Sequence, residues 1–160
     1  MIGILSDSHD NLNAVRAAAQ LFKGAGCSLI IHAGDFVAPF SARALESAGC
    51  PVRAVFGNCD GERDGLLRAL GGFGVIQSEP LLFSYAERTI LVRHHDGGLE
   101  KICREKKPNV LVYGHSHRAE IRFYEETLII NPGEAGGWVH GRCTIALLDE
   151  TAGTAEIIAL

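Results

Sequence analysis

Five short segments carry side chains that bind cations or move protons, and each follows directly on a run of Ile, Val or Leu. They are Asp7-Ser8-His9, Gly34-Asp35, Gly57-Asn58-Cys59-Asp60, Arg93-His94-His95-Asp96 and Gly114-His115-Ser116-His117. In Asp7-Ser8-His9 and His115-Ser116-His117 the partners stand two residues apart. In extended backbone both side chains of such a pair leave the same face and can grip one ion. Carboxylate oxygen, imidazole nitrogen and amide oxygen suit Mn²⁺, Fe, Ni²⁺ or Zn²⁺, and a donor set without thiolate argues against a structural zinc site. The expected metal is therefore catalytic. Taken singly, each segment has a plainer explanation: Asp-x-His after a strand is an Asx turn, and Gly-Asp or Gly-Asn is ordinary turn chemistry. Two histidines spaced by one residue at a glycine turn have less structural purpose, and the whole set together has less still.

The elements that must position these groups are legible in the apolar pattern. Buried strands are predicted over Met1–Ser6, Ser28–Ala33 and Pro51–Phe56, with a helix over Asn11–Ala25 whose stripe is Leu12, Val15, Ala19 and Phe22. A short helix starts at Pro39 or Ser41 and stops at Gly49, and another spans about Glu62–Leu70. Strands follow over Val75–Gln77, Leu81–Tyr85 and Thr89–Arg93, then a helix over Gly98–Lys106 that Pro108 ends. The last third reads as strands over Val110–Tyr113, Ala119–Tyr124, Thr127–Ile130, Cys143–Leu148 and Ala155–Ile158. In open α/β sheets ligands bind beyond the carboxyl ends of strands, so five polar clusters at such ends are expected to share one pocket.

The chain has 160 residues, enough for one domain with a sizeable core, and its formal charge is −4. No basic stripe is present of the kind that neutralises a nucleic-acid backbone, so phosphate recognition has to be local. The start lacks a signal-peptide pattern and no apolar run is long enough to span a membrane, so a cytoplasmic protein is expected. Five scattered cysteines, Cys27, Cys50, Cys59, Cys103 and Cys143, are expected to be free thiols, most of them small core residues.

The ordered set Asp-x-His, Gly-Asp, Gly-Asn-Cys-Asp, His and Gly-His-x-His, closing with Asn131-Pro132-Gly133, resembles the calcineurin-like metallophosphoesterases, and among them the small prokaryotic phosphodiesterase branch. The resemblance implies an α/β fold, a four-layer α/β/β/α sandwich of two mixed sheets flanked by helices, forming a single catalytic domain over residues 1–160. It assigns one divalent ion to Asp7, His9, Asp35 and His117 and a second to Asp35, Asn58, His94 and His115, with Asp35 bridging. Mn²⁺ is the foremost candidate, with Ni, Fe, Zn or Mg as alternatives. Two such ions against two carboxylates leave the cluster at about +2, so it would attract a phosphate even in an acidic protein. The implied reaction is hydrolysis of a small phosphodiester by a water activated between the metals. Asn58, His94 and Asp60 are the candidate catalytic residues; Asp60 either orients a ligand or water or caps the next helix.

Three departures from the family pattern bear on chemistry. Cys59 stands where the wider superfamily often has a histidine that protonates the leaving group; a neutral thiol does this poorly, and packing is the expected role. His95 and Asp96 replace a glycine and a histidine, which makes them candidate substrate-adjacent residues. His94 is preferred to His95 as the ligand because it directly ends the strand. Glu134 follows Asn131-Pro132-Gly133, where it either repels an anionic substrate or faces solvent. His32 is read as a buried, hydrogen-bonded histidine. Trp138 and His140 lie in a glycine-rich loop, mobile by default and substrate-contacting as the sharper reading. Competing functions are a phosphomonoesterase on the same site and a protein-binding scaffold, since a subunit of the endosomal retromer coat resembles this fold. A nuclease is disfavoured for want of a basic groove, and a homodimer is left open.

Overall fold

An apolar run at the start of the chain can be stable only in a sheet covered on both faces. In the computed structural model, which describes residues 1–160, that run forms β1 (Ile2–Leu5), and all four residues are buried. It is followed by α1 (Leu12–Gly24), β2 (Leu29–His32), α2 (Pro39–Arg43) continuing into a 3₁₀ turn (Ala44–Ala48), β3 (Val52–Val55), α3 (Arg63–Leu70) and β4 (Gly74–Gln77). The second half adds β5 (Leu81–Tyr85), β6 (Arg88–Val92), α4 (Leu99–Lys106), β7 (Val110–Val112), β8 (Glu120–Tyr124), β9 (Thr127–Asn131), β10 (Thr144–Asp149) and β11 (Thr154–Ala159).

Local chemistry sets the boundaries. Asn11 caps α1, its Oδ1 accepting the Ala14 N–H at 3.2 Å. Pro39 occupies the start of α2, where its missing N–H is harmless. The helix expected to run on to Gly49 tightens to 3₁₀ geometry after Arg43, and Gly49 ends it with φ 77°.

The first sheet has the order β11-β10-β1-β2-β3-β4, parallel from β1 to β4, with β10 antiparallel to β1. The second has the order β5-β6-β7-β9-β8, with β6, β7 and β9 parallel. Side-chain alternation sorts residues into layers. Ile2, Ile4, Leu29, Ile31 and Val55 of the first sheet pack against Ile90, Val92, Val110, Val112 and Ile130 of the second. The opposite face of the first sheet carries α1, α2 and α3, through Val15, Phe22, Ala42 and Leu66 among others. On the far side of the second sheet, Leu99 and Cys103 of α4 cover Leu91, Leu111 and Ile129. The expected four-layer α/β/β/α sandwich of two mixed sheets is the observed architecture. No helix is long and apolar enough to cross a membrane.

Register is what this fold offers the site. Leu5 pairs with His32 and His32 with Ala54, so β1, β2 and β3 end level and release their loops side by side. Val92 pairs with Val112, which places His94 and Gly114 at matching distances past β6 and β7. The cysteines only partly follow expectation. All five are free, but Cys27 and Cys103 alone are buried, and Cys59 is exposed because it lies beyond the end of β3, where there is no core to enter.

Gly3 lets α1 lie flat on β1. A Cβ there would stand 2.5 Å from Phe22 Cδ1 and 2.6 Å from Cγ, and Phe22 is fully buried. Gly3→Ala should lower the unfolding free energy by roughly 1–3 kcal/mol, the usual toll of overpacking. A urea melt indistinguishable from that of the unaltered protein would mean that Phe22 moves aside freely.

Candidate metal centre

The loops leaving β1, β2, β3, β6 and β7 meet at one rim of the sandwich and bring Asp7, His9, Asp35, Asn58, His94, His115 and His117 together. Asp35 Oδ2 lies 3.5 Å from His9 Nε2 and 3.4 Å from His94 Nε2, so one carboxylate faces two groups of donors. On the first side, His117 Nε2 is 3.4 Å from Asp7 Oδ1. Across the site, Asn58 Oδ1 is 2.9 Å from both His94 Nε2 and His115 Nδ1.

Proton positions test whether this set fits cations. His94 Nδ1 lies 2.8 Å from Ala33 O, a pure acceptor, and so carries the ring proton. In neutral His94 the Nε2 lone pair then points at the lone pairs of Asn58 Oδ1 and Asp35 Oδ2. His117 Nδ1 likewise donates to Glu134 Oε2 at 2.9 Å, which leaves its Nε2 lone pair facing Asp7. His9 Nε2 is buried and has no hydrogen-bond partner. Converging acceptors of this kind are satisfied by a proton or a cation. The donors, nitrogen and oxygen without thiolate, fit divalent ions of the Mn, Fe, Ni, Zn group.

Titration behaviour follows from the same geometry. Burial raises the Asp7 pKa above the usual carboxylate range, against the lowering pull of Ser6 and the nearby histidines. Burial also works to raise Asp35, but the hydrogen bond from His94 and the Cys59 N–H outweigh it and hold Asp35 well below that range. His94 is opposite in sense: burial lowers it, and the hydrogen bond and charge of Asp35 raise it above the ordinary histidine value. The Cys59 thiol is pushed up to about 11 by burial and by the Asp35 charge, so it stays neutral at pH 7.

The backbone around these groups is strained. Asp7, His9, Asp35, His115 and His117 have φ of 51°, 38°, 61°, 67° and 59°, a left-handed region that side chains rarely adopt. Val37, β-branched, sits at φ 83°. Asp60 holds the β2 loop in this shape: its carboxylate accepts the N–H groups of Asp35 at 3.0 Å, Gly57 at 2.7 Å and Val37 at 2.8 Å. Gly57 must lack a side chain, because a Cβ would overlap Asp35 Oδ1 and lie 2.8 Å from its Cγ. Asn131 supports the His115–His117 turn, donating to Gly114 O at 3.1 Å and Ser116 Oγ at 3.0 Å. His32, fully buried, accepts the Gly34 N–H on Nδ1 at 3.2 Å and so donates from Nε2 to Ser8 Oγ at 3.1 Å, tying the first two loops together.

Several residues stand elsewhere than sequence reasoning put them. Of the two roles expected for Asp60, it does not cap α3, whose N-cap is Glu62; its oxygens accept the backbone N–H groups of Asp35, Gly57 and Val37, which agrees with the orienting role, exerted through the Asp35 backbone and not at the cavity itself. His9, Asp35, Asn58, Cys59, His115, His117, Trp138 and Val139 line a cavity over the donors; the His95 ring stands beside it, 5.0 Å from the ring of His115 and 5.2 Å from that of His94, whereas Asp96 is exposed. His95 Nδ1 is drawn 2.8 Å from Glu79 Oε1, whose carboxylate also takes the His94 and His95 N–H groups. The fully buried His94, and not His95, faces Asp35. Cys59 lines the cavity mouth and is not a packing residue. Glu134 neither faces solvent nor meets the cavity: it is buried beneath His117 and also accepts the Val139 N–H at 2.9 Å. A lone Glu before Pro80 carries no local signal for the role of Glu79, and the burial of Glu134 depends on His117 arriving from another loop while the N–H groups of Val139 and His140 fold back from its own.

A carboxylate shared between two groups of imidazole and amide donors, on the rim of two packed sheets, marks a metal-dependent phosphoesterase. The chain belongs to the calcineurin-like phosphoesterase superfamily, whose domain matches residues 1–153. Phosphodiesterase MJ0936 of Methanocaldococcus jannaschii is 34% identical over 157 residues, covering 92% of each chain. A solved structure of an archaeal phosphodiesterase superposes with a TM-score of 0.94 at 32% identity, over 99% of both chains. Vps29 of Entamoeba histolytica reaches a TM-score of 0.74 over 99% of this chain and 97% of its own, at 14% identity, which shows the fold alone.

Two outcomes follow from the supporting residues. Burial holds the His32 pKa well below its ordinary value, so the folded chain refuses a proton that the unfolded chain takes up below about pH 6.5. Stability therefore falls as pH drops, by up to about 1.4 kcal/mol per unit from this group. In urea melts of metal-free protein, the stability advantage over His32→Asn should shrink between about pH 7.5 and about pH 5.5; a constant difference refutes the assignment. Glu134→Gln should weaken divalent-metal affinity roughly 10–100-fold, as loss of a carboxylate behind a metal-binding histidine does, read by titration calorimetry.

Proposed function

We propose that this chain is a phosphodiesterase that hydrolyses a small phosphodiester at a pair of divalent ions, with residues 1–160 forming one catalytic domain. The observation that carries the reading is the Asp35 carboxylate, which faces His9 Nε2 at 3.5 Å and His94 Nε2 at 3.4 Å from a single oxygen. In this reading Asp7, His9, Asp35 and His117 hold one ion and Asp35, Asn58, His94 and His115 hold the other, Mn²⁺ being the foremost candidate for nitrogen and oxygen donors of this kind. Such ions supply Lewis-acid polarisation of phosphoryl oxygens and a water acidified to near neutral pH. The relative named as a phosphodiesterase, similar over 92% of both chains, supports the diester as substrate.

The chain's own residues then divide the remaining work. Asp60 and Gly57 hold Asp35 where it faces both donor groups. Glu134 keeps the His117 proton on Nδ1, so that Nε2 always presents a lone pair. Glu79 clamps the backbone at His94 and draws the His95 side chain toward itself. Cys59 stands at the mouth as a neutral thiol with its pKa pushed up to about 11, a poor proton donor to an alkoxide. The enzyme is therefore expected to prefer leaving groups that depart without a proton. A cytoplasmic location accords with five unpaired thiols, which oxidising compartments tend to pair. A non-catalytic scaffold would have no use for strained backbone at five of the seven donor residues.

The test is hydrolysis of an aryl phosphodiester and its matching monoester by metal-stripped protein, with Mn²⁺, Ni²⁺, Mg²⁺ and Zn²⁺ restored separately. Diester turnover should exceed monoester turnover and depend on metal. Asp35→Asn should remove it by at least about 100-fold, beyond the usual effect of losing an outer partner. Bound metal with no turnover of either ester would favour the scaffold instead.

A further inference from the structure

The cavity over the metal donors, about 490 Å³, is larger than a phosphate group needs and falls within the range of sites for whole small molecules. Most of its wall is imidazole, carboxylate and amide. One side differs. Trp138, the only tryptophan in the chain, and Val139 line it while remaining 65% and 63% exposed. Apolar surface of that size beside a polar site is unfavourable in water unless something covers it.

The two residues are held in place. Trp138 Nε1–H donates to His9 O at 3.1 Å, and the Val139 N–H donates to the buried Glu134 carboxylate at 2.9 Å. Gly136 brings the backbone close beneath the ring: a Cβ there would stand 2.8 Å from Trp138 Cδ1 and 2.9 Å from Ser8 O. Because Nε1–H is already used, the indole offers its apolar face and no donor. His9 supplies both a metal donor, through Nε2, and the carbonyl that anchors the indole. Glu134 likewise supports both His117 and Val139. The spacing from donors to ring is thus set by the same residues that build the metal centre.

We propose that Trp138 and Val139 form a rigid platform for a planar aromatic ring, a nucleobase or a phenyl group, carried by the phosphodiester whose phosphate sits at the metal donors. The platform sets the substrate class, and it rests on the phosphodiesterase reading above. A ring stacked on the indole gains dispersion and π-face contact that a methyl substituent cannot. Discrimination then comes from the ring and not from the phosphate, which all diesters share.

The sole tryptophan makes the test direct. Metal-loaded protein is titrated with dimethyl phosphate, methyl phenyl phosphate and thymidine 5′-methyl phosphate while indole fluorescence is followed, and the same three compounds are measured as inhibitors of aryl-diester turnover. The two aromatic diesters should quench fluorescence and bind about tenfold tighter than dimethyl phosphate, in keeping with stacking on one aromatic side chain. In Trp138→Ala the three inhibition constants should converge, and Trp138→Phe should keep most of the spread. Tighter binding of the thymidine ester identifies a nucleobase as the ring, and tighter binding of the phenyl ester a simple aryl group. Equal affinities in the unaltered protein overturn the proposal. So does a Trp138→Ala variant that weakens dimethyl phosphate as much as the aromatic esters, the mark of a mere prop for His9. Quenching by the aromatic esters in a protein that turns over no ester would sustain the platform and remove the hydrolytic reading, whereas turnover without quenching would do the reverse.

Discussion

One carboxylate has to face two groups of donors at once, and the rest of the rim is arranged around that requirement. Asp35 meets it only with its backbone at φ 61°, a conformation that on its own is disfavoured by about 1–3 kcal/mol. Asp60 compensates by accepting the N–H groups of Asp35, Gly57 and Val37, which the left-handed turn would otherwise leave without partners. The Cys59 N–H fixes the remaining Asp35 oxygen at 2.8 Å, and Oδ2 is left for the histidines. The parallel register of β1, β2 and β3 makes this possible, because it delivers the three loops to the same height before any of them turns.

The second sheet contributes its histidines through two other carboxylates, neither of which takes part in the donor cluster. Glu79 clamps the backbone at His94, and Glu134 fixes the ring proton of His117. Glu134 is held below the ordinary glutamate pKa: burial opposes this, but the His117 hydrogen bond and the Val139 and His140 N–H groups prevail. A chain with a net charge of −4 can therefore surround a cation site with acidic residues and still present phosphate with a locally positive centre once ions are bound. Asp60, Glu79 and Glu134 are engaged by backbone and imidazole N–H donors, and of the carboxylates Asp35 is the one that lines the cavity.

A shared fold does not by itself assign a function, and the likeness to Vps29 at 14% identity is a likeness of fold alone. What separates the readings is the site. Every donor position is filled, the backbone strain there is retained, and the cavity above carries an anchored aromatic wall. At the His95-Asp96 change, His95 Nδ1 meets Glu79 while its ring stays 5.0 Å from that of the donor His115, and Asp96 is exposed. The substitution of Cys59 is different in kind, because its thiol stays at the cavity mouth and alters the acid chemistry available there.

The four-layer sandwich and the gathering of seven nitrogen- and oxygen-bearing side chains at one rim were legible in the sequence because both are written in local terms. Ile-rich runs of buried-strand length mark the sheets, and polar residues placed just after them mark the rim. Pairs such as Asp7 and His9 are flagged by type and spacing, but both lie past the end of β1 with φ of 51° and 38°, so the left-handed loop backbone aims them and not the alternation of an extended strand. Asp60, Glu79, Glu134 and Trp138 were not legible in the same way. Their roles depend on partners supplied by other loops, Asp60 on Asp35 and Val37, Glu79 on His94, Glu134 on His117 and Trp138 on His9, and no pattern of types or spacing records which loops the register will bring side by side. Tertiary structure decided those contacts, because a carboxylate or an indole acquires its role from whichever backbone groups the packed sheets leave unpaired beside it.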